Sequence, residues 1–378
     1  MKPIIKTLSL LFAAVCLTVF CSCADMNNSD SDKLNSSSGS SGGEVASGGL
    51  PFTEPLEKAF NYCPSVFIEN GEIYCYYCSN AESGIIQDHI YARKGVKNKD
   101  GSISWTEKTL VLAPSFGEYD AFHCCDPSVI KGEFSYDGKS YSYLMAYTGN
   151  TSNVNNKIGL ALSNQPMSGW VKVKNAFKTY DGPASHWGVG QPELLSVNEK
   201  GEVMLFYSVG SYSTYMVAEK WNLSNLNEPK MLSSAQITTK GLLSLNGGAD
   251  VMNNANVAYD KQLKRYYFVS DCHPYPTDGD PLFVSSAFRV TYMSEKGENI
   301  GDTFASLAAQ SGKNWFTLKT VGEAETGYKR NSNCAIMRSP YGYILDNSSI
   351  EVYYSMSELG YGYEWTYRIH SYKIDVTE

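Results

Sequence analysis

The sequence predicts an all-β protein, a five-bladed β-propeller, from a repeat, a strand pattern and an aromatic composition. A polar or thiol residue, then a proline or small residue, then apolar residues recur five times: Cys63-Pro-Ser-Val-Phe, Asp126-Pro-Ser-Val-Ile, Gln191-Pro-Glu-Leu-Leu, Asn254-Ala-Asn-Val-Ala and Asn333-Cys-Ala-Ile-Met. The spacings are 63, 65, 63 and 79 residues, enough chain for four strands per unit, and self-similarity at a fixed period marks a radial repeat. Tyrosine occurs 28 times and 13% of residues are aromatic, as pleated, half-buried surfaces favour.

Each anchor opens a first strand, and a second strand rich in aromatic and β-branched residues follows: Glu72-Ile-Tyr-Cys-Tyr-Tyr, Tyr141-Ser-Tyr-Leu-Met-Ala-Tyr, Val203-Met-Leu-Phe-Tyr-Ser, Arg265-Tyr-Tyr-Phe-Val-Ser and Ile350-Glu-Val-Tyr-Tyr-Ser. Third strands begin at His89, Lys157, Thr214, Ala287 and Tyr367. Fourth strands are legible in four units, from Trp105 to Leu112, Trp170 to Val173, Pro229 to Thr238 and Trp315 to Val321. The fifth unit has none before the C-terminus, and the segment from Pro51 to Phe60 is the candidate to close the ring there. The nearest helical segment, Asp302 to Gln310, reads as a loop decoration.

The N-terminus reads as an address. Lys2 and Lys6 precede an apolar stretch from Leu8 to Phe20, the layout of a secretory signal. The stretch ends in Phe20-Cys-Ser-Cys23, which resembles a bacterial lipoprotein box with Cys23 as the lipidated residue, so residues 1–23 are expected to be the leader. Residues 24–50 hold 8 Ser, 5 Gly and no aromatic residue, the composition of a flexible tether with a reach of about 30 Å. Asp25, Asp30 and Asp32 resemble the acidic export signals of surface lipoproteins in Bacteroidetes-like bacteria. The expected organisation is thus a lipid-anchored, extracytoplasmic propeller over residues 51–378, at the outer membrane or cell surface.

Composition narrows the partners. Hydrophobic residues make up 43% of the chain, ample for one large core. A net charge of −8 argues against a nucleic-acid groove, and no second apolar run reaches membrane-spanning length. Nothing matches a phosphate-cradling glycine loop or a dinucleotide fingerprint. Seven cysteines lie beyond the leader: Cys63, Cys75, Cys78, Cys124, Cys125, Cys272 and Cys334. An odd number cannot all pair within one chain. Cys75 and Cys78 have Cys-x-x-Cys spacing without a second such pair, and strand alternation turns them to opposite faces. They read as small apolar strand residues, with room for one disulfide, rather than as a zinc or redox motif.

The chemistry is expected at one mouth of the channel. The innermost strands of a propeller line its axis, so Cys63, Asp126, Gln191, Asn254 and Asn333 should form a ring where those strands begin. The preceding loops should bring Asp120, His123, His186, Trp187, Asp250, Asn253, Lys329 and Arg330 close by. Acids, amides, imidazoles and aromatic faces suit a polyhydroxylated ligand, which needs many directional hydrogen bonds and a surface to stack on. Asn254 and Asn333 serve equally well as partners of neighbouring turns, and Trp187, Tyr180, Tyr119 and Tyr275 as packing between blades.

At these residues the chain resembles the five-bladed propeller glycoside hydrolases, family 43 and its invertase-like relatives. The resemblance runs from about Pro51 to the C-terminus and is carried by Asp126-Pro-Ser-Val, by Ile158-Gly-Leu-Ala-Leu-Ser with Gly169-Trp170, and by Gly190-Gln-Pro with Leu205-Phe-Tyr-Ser. It implies a carboxylate base or nucleophile from the first blade, a helper aspartate from the second and an acid from the third. Two carboxyls are needed because one protonates the leaving oxygen while the other activates water or attacks the sugar. Asp126 matches the helper. Cys63 stands where the first-blade aspartate should be, and Gly190 where the third-blade glutamate should be. Glu193, Asp250, His123, His186 and Asp120 are the available substitutes for proton transfer. Asp126, Glu193, Asp250, His186 and His123 are therefore the expected reactive set, and Cys63, Asp120, Trp187, Gln191, Asn254, Arg330 and Asn333 the expected sugar contacts. No cofactor is required; a calcium ion held by Asp126 and amide oxygens stays open, although one sure carboxylate is few for a tight site. The expected function is cleavage of glycosidic bonds in oligo- or polysaccharides, with non-catalytic glycan capture as the alternative.

Overall fold

Each repeat forms one antiparallel sheet whose middle strands are covered on both sides by neighbouring sheets, which explains their near-continuous apolar and aromatic sequences. The computed structural model describes residues 54–211, 213–293 and 315–376, with Leu50 and Phe52; the leader, most of the tether and the Asp302–Gln310 segment lie outside the described residues.

Blade 1 comprises β1 (Asn61–Glu69), β2 (Glu72–Asn80), β3 (Asp88–Lys97), β4 (Ile103–Trp105) and β5 (Thr109–Leu112). Blade 2 comprises β6 (His123–Tyr136), β7 (Lys139–Asn150), β8 (Lys157–Ser163) and β9 (Val171–Lys172). Blade 3 holds β10 (Gly188–Ser196), β11 (Glu202–Gly210), β12 (Thr214–Asn222) and β13 (Lys230–Gln236). Blade 4 holds β14 (Asn256–Asp260), β15 (Arg265–Asp271), β16 (Phe288–Met293) and β17 (Trp315–Val321). Blade 5 has three strands among the described residues, β18 (Arg330–Ile336), β19 (Ser349–Ser357) and β20 (Arg368–Asp375). The inner strands touch in a ring, β1 to β6 to β10 to β14 to β18 and back to β1. This is a five-bladed β-propeller.

The expected fourth strand of blade 1 is two short ones. The Thr106 hydroxyl accepts the Lys94 N–H at 3.0 Å and its carbonyl accepts from Arg93 Nη1 at 2.8 Å, which interrupts the ladder along β3.

Five hydrophobic clusters fill the seams between adjacent blades. The seam between blades 5 and 1 draws on the N-terminal segment. Leu50 N–H donates to the Ile369 carbonyl at 2.9 Å, and Asn61 N–H to the Tyr367 carbonyl at 3.1 Å. Phe52 stacks on Tyr77 at 5.3 Å, meets Trp105 edge-on at 5.2 Å and lies under the Arg93 guanidinium at 4.7 Å. Among its described residues the segment forms no strand; it joins blade 5 by these two backbone bonds and fills the seam with Phe52.

The five anchors share one backbone conformation. Cys63, Asp126, Gln191, Asn254 and Asn333 all have φ between 48° and 51°, the left-handed region. In blades 1, 2, 3 and 5 the ladder slips at the anchor, the mark of a β-bulge. Each anchor N–H, turned away from its own ladder, donates to a side chain on the second strand of the preceding blade. The acceptors are Ser355 Oγ (3.1 Å) for Cys63, Cys78 Sγ (3.1 Å) for Asp126, Thr148 Oγ1 (2.8 Å) for Gln191, Ser208 Oγ (2.9 Å) for Asn254 and Asp271 Oδ1 (3.1 Å) for Asn333. A disulfide between Cys78 and Cys125 reinforces the seam between blades 1 and 2.

The other end of the channel is plugged by the loop after β18. Carbonyls of Arg338, Pro340, Tyr341 and Gly342 accept from the N–H groups of Ile68, Lys131, Ser196 and Tyr259 at 2.7–3.0 Å, one from each of the other four blades. Gly342 has φ 87°, and a Cβ there would meet the Leu195 Cα at 3.2 Å, so both conformation and contact call for glycine.

Ser208→Ala and Ser355→Ala each leave a buried anchor N–H without its acceptor and should lower the unfolding free energy by about 1–3 kcal/mol, read by denaturant titration. His370, buried between the rings of Tyr354 and Tyr328, has its pKa pushed down to about 4 by burial. The unfolded chain therefore takes up that proton first. The stability it contributes is complete above about pH 6.5 and is lost as pH falls toward about 4, by up to about 3 kcal/mol. Comparing wild type with His370→Gln across that window isolates the effect, because the wild type alone should lose it.

Candidate functional site

The five anchors meet at the floor of a cavity of about 910 Å³ at the mouth of the channel, and all five also line a void of about 30 Å³ behind it. The bulge explains the convergence, since it turns the same position of every inner strand toward the axis. Of the residues expected from sequence, Cys63, His123, Asp126, Trp187, Gln191, Asn254 and Asn333 line the cavity. Asp120, His186, Asp250 and Arg330 do not line it, and Glu193 faces only the inner void.

The residues outside the cavity have partners that account for them. Asp120 is buried against Lys172 Nζ at 2.5 Å and the Tyr147 hydroxyl at 2.9 Å. Asp250 accepts from Arg289 Nη2 at 2.5 Å and contacts His273 Nδ1 at 2.8 Å. Burial alone would raise its pKa, but the His273 hydrogen bond and the Arg289 charge outweigh burial and hold it below the usual carboxylate range. His186 Nδ1 lies 3.0 Å from the Tyr180 hydroxyl. Arg330 donates to the carbonyls of Pro281, Asp278 and Gly279. Glu193 accepts from Ser128 Oγ at 3.0 Å, from Asn256 Nδ2 at 2.5 Å and from Arg338, which holds the plug. Its carboxylate is committed to joining blades 2, 3, 4 and 5 in the channel, behind the open cavity.

Among the described residues, the carboxyls that face the cavity are Asp88, Asp126, Asp271 and Glu364. Asp126 is half-buried, and desolvation pushes its pKa up against the pull of donors from Cys63, Thr148 and the Gln191 backbone. Asp271, at the end of β15, is raised to about 6 by burial, although Asn254 Nδ2 (3.2 Å) and Asn333 N–H (3.1 Å) both donate to it. Asp88 opens β3 beside His123. Its Oδ2 lies 2.7 Å from His123 Nδ1 while its own N–H points at the same nitrogen at 2.9 Å. A bare nitrogen satisfies the backbone and a protonated one the carboxylate, so the protonation state of His123 selects its partner. Burial and the neighbouring Asp126 push the Cys63 thiol well above the ordinary cysteine range, leaving it neutral. Aromatic walls come from Tyr62, Trp187, Tyr275, Phe283, Tyr363 and Tyr367.

No protein-family model matches the chain, and no curated protein matches it. Solved structures do. A family 117 glycoside hydrolase from the marine bacterium Zobellia galactanivorans aligns with a TM-score of 0.54 at 12% identity, over 87% of this chain and 88% of the other. A thermostable family-43 glycoside hydrolase aligns with a TM-score of 0.51 at 13% identity, over 86% and 94%. An α-L-arabinofuranosidase from Podospora anserina, in complex with cellotriose, aligns at 0.50 and 13%, over 87% and 95%. The chain has the fold of the five-bladed propeller glycoside hydrolases.

Within that propeller, sequence reasoning passed over Asp88 and Asp271. Asp271 occupies the position that Cys78, Thr148, Ser208 and Ser355 hold in the other blades, and in those four the acceptor directly follows a strand tyrosine. The Tyr-Cys, Tyr-Thr and Tyr-Ser pairs were the available signal; blade 4, with Val269-Ser-Asp271, departs from it.

The Glu193 assignment has a direct check. Glu193→Ala leaves the Arg338 guanidinium buried without its counter-charge and should cost about 3–5 kcal/mol of stability. Adding Arg338→Met should recover part of that loss in the same unfolding measurement.

Proposed function

We propose that the chain is a glycoside hydrolase with a rearranged acid–base set, acting on oligo- or polysaccharides at the propeller mouth. The observation that carries this reading is the pair of carboxyls, half-buried Asp126 and buried Asp271, on the floor of one polar and aromatic cavity large enough for a sugar. Asp271, with a pKa near 6, is the proton donor to the leaving oxygen. Asp126 accepts from a thiol, a hydroxyl and a backbone N–H, which favour its anion, and it takes the role of base or charge stabiliser. Trp187 and Tyr275 supply faces for stacking. The reading includes secretion and a lipid anchor at Cys23, which would present the cavity to external glycans.

A second reading, glycan capture without cleavage, is favoured by one observation: Cys63 and Gly190 stand where the resemblance calls for carboxylates. A reducing-sugar release screen of the purified chain on plant and host glycans separates the two. Hydrolysis predicts release that Asp271→Asn and Asp126→Asn each lower by at least about 100-fold. In the wild type, kcat/KM should fall as pH rises through about 6, where Asp271 loses its proton. Binding of a glycan with no release would establish capture, and no binding to any glycan would overturn both.

A further inference from the structure

Three sulfur atoms meet at the cavity floor, those of Cys63 and Cys125 lining it and that of Cys78 behind them. The Sγ atoms of Cys63, Cys78 and Cys125 and a carboxylate oxygen of Asp126 all lie within 4.8 Å of one another. Cys78 and Cys125 are joined as a disulfide, with their Cα atoms 5.4 Å apart, and Cys63 is a free thiol.

The geometry points to a redox-gated site for one thiophilic divalent cation such as Zn²⁺, formed by Cys63, Cys78, Cys125 and Asp126 once the Cys78–Cys125 disulfide is reduced. Four donors of this kind match a tetrahedral zinc site, in which ligand atoms stand about 3.8 Å apart. The spacing seen here is reached by side-chain shifts of about an ångström or less. The total charge equals that of an all-cysteine zinc site.

The surroundings support a thiolate cluster. Asp126 N–H points at Cys78 Sγ at 3.1 Å, so a donor is already placed on one of the three sulfurs, and the Tyr62 hydroxyl lies 3.1 Å from Cys125 Sγ. Asp88 and Asp271 add negative potential at Cys63, which attracts a cation. Cys63, Cys125 and Asp126 line the open cavity, which gives the ion a path.

The gating step balances. A dithiol attacks one sulfur of the disulfide, leaves as its own cyclic disulfide and releases Cys78 and Cys125 as thiols, a two-electron exchange. Zn²⁺ then displaces the three thiol protons to water and exchanges its hydration for three Zn–S bonds and one Zn–O bond. The inference goes beyond the glycosidase reading and does not depend on it, but it links the two. An ion bound to Asp126 removes that carboxylate from sugar chemistry, so the metal-bound form should be inactive.

The test is a Co²⁺ titration of the full chain, reduced with a phosphine without air. The expected result is one Co²⁺ per chain with sulfur-to-cobalt charge-transfer absorption, displaced by Zn²⁺, and none with the disulfide intact. Cys63→Ser should weaken Co²⁺ binding by at least about 10–100-fold. Cys75→Ser, buried in the seam between blades 5 and 1, should leave it unchanged. Should Cys63→Ser fail to fold, alkylation mapping of the reduced wild type decides, with Zn²⁺ expected to protect Cys63, Cys78 and Cys125 together. Absence of the absorption in the reduced wild type, binding unchanged in folded Cys63→Ser, or equal alkylation with and without Zn²⁺ would overturn the inference.

Discussion

The structure depends on one repeated interaction, the hydrogen bond that each left-handed anchor sends across to the preceding blade. Placing φ near +50° at the head of an inner strand rotates the peptide N–H out of its own sheet, and only a side chain on the neighbouring sheet is there to receive it. Five such bonds run around the ring in one direction, each tying an inner strand to the second strand behind it. The same rotation brings the five anchor residues together at the mouth. Seam and site are therefore consequences of one backbone device. The device uses only the backbone of the anchor, which leaves the side chain free to be a thiol, a carboxylate or an amide. Asn and Asp take the left-handed conformation at little cost, whereas Cys63 and Gln191 hold it against a penalty of about 1–2 kcal/mol. Their presence there is a cost that packing and the ring bonds must offset.

The far end of the channel works differently and explains why one candidate was misplaced. Where the mouth uses five equivalent bonds, the other end uses one loop, 338–344, that reaches every other blade through its carbonyls. Arg338 sends its guanidinium back into the channel, where Glu193 neutralises it. Strand alternation correctly puts Glu193 on the axial face with Gln191, yet two residues along a strand is about 7 Å of depth. That distance separates the open cavity, which Gln191 lines, from the pinned interior, where Glu193 holds the plug.

The fold was legible because its determinants are local and repeated. The anchor tripeptides and aromatic second strands appear in every unit, and their period alone counts the blades. The ring of five cavity residues was legible for the same reason. The remaining site residues were not, because their placement depends on partners distant in sequence. Asp120 and Asp250 precede anchors just as a site residue should, but Lys172 on β9 and Arg289 on β16 draw them into ion pairs away from the mouth. Asp88 opens a third strand and Asp271 ends a second one, positions that carry no mark in a linear reading. Asp271 becomes visible only when the acceptor positions of all five blades are aligned, and then it is the one carboxylate among a cysteine, a threonine and two serines.

The thiol at Cys63 follows from the electrostatics of that floor. Asp126, Asp88 and Asp271 all act on this position, and each raises the cost of placing another negative charge there. A first-blade carboxylate would have to ionise in the field of three others within a buried setting, or stay protonated and lose its value as a base. A neutral thiol avoids that conflict and also donates to Asp126. On the proposed reading, Asp271 in the fourth blade supplies the proton donor that the resemblance places in the third, where Gly190 stands. On that reading, moving one carboxylate around a pseudo-symmetric ring keeps two proton-active groups on the same floor and would change the side from which each approaches a sugar. The linkage a pocket accepts depends on those directions, so on that reading a changed placement of charge on the same propeller would change what the protein recognises.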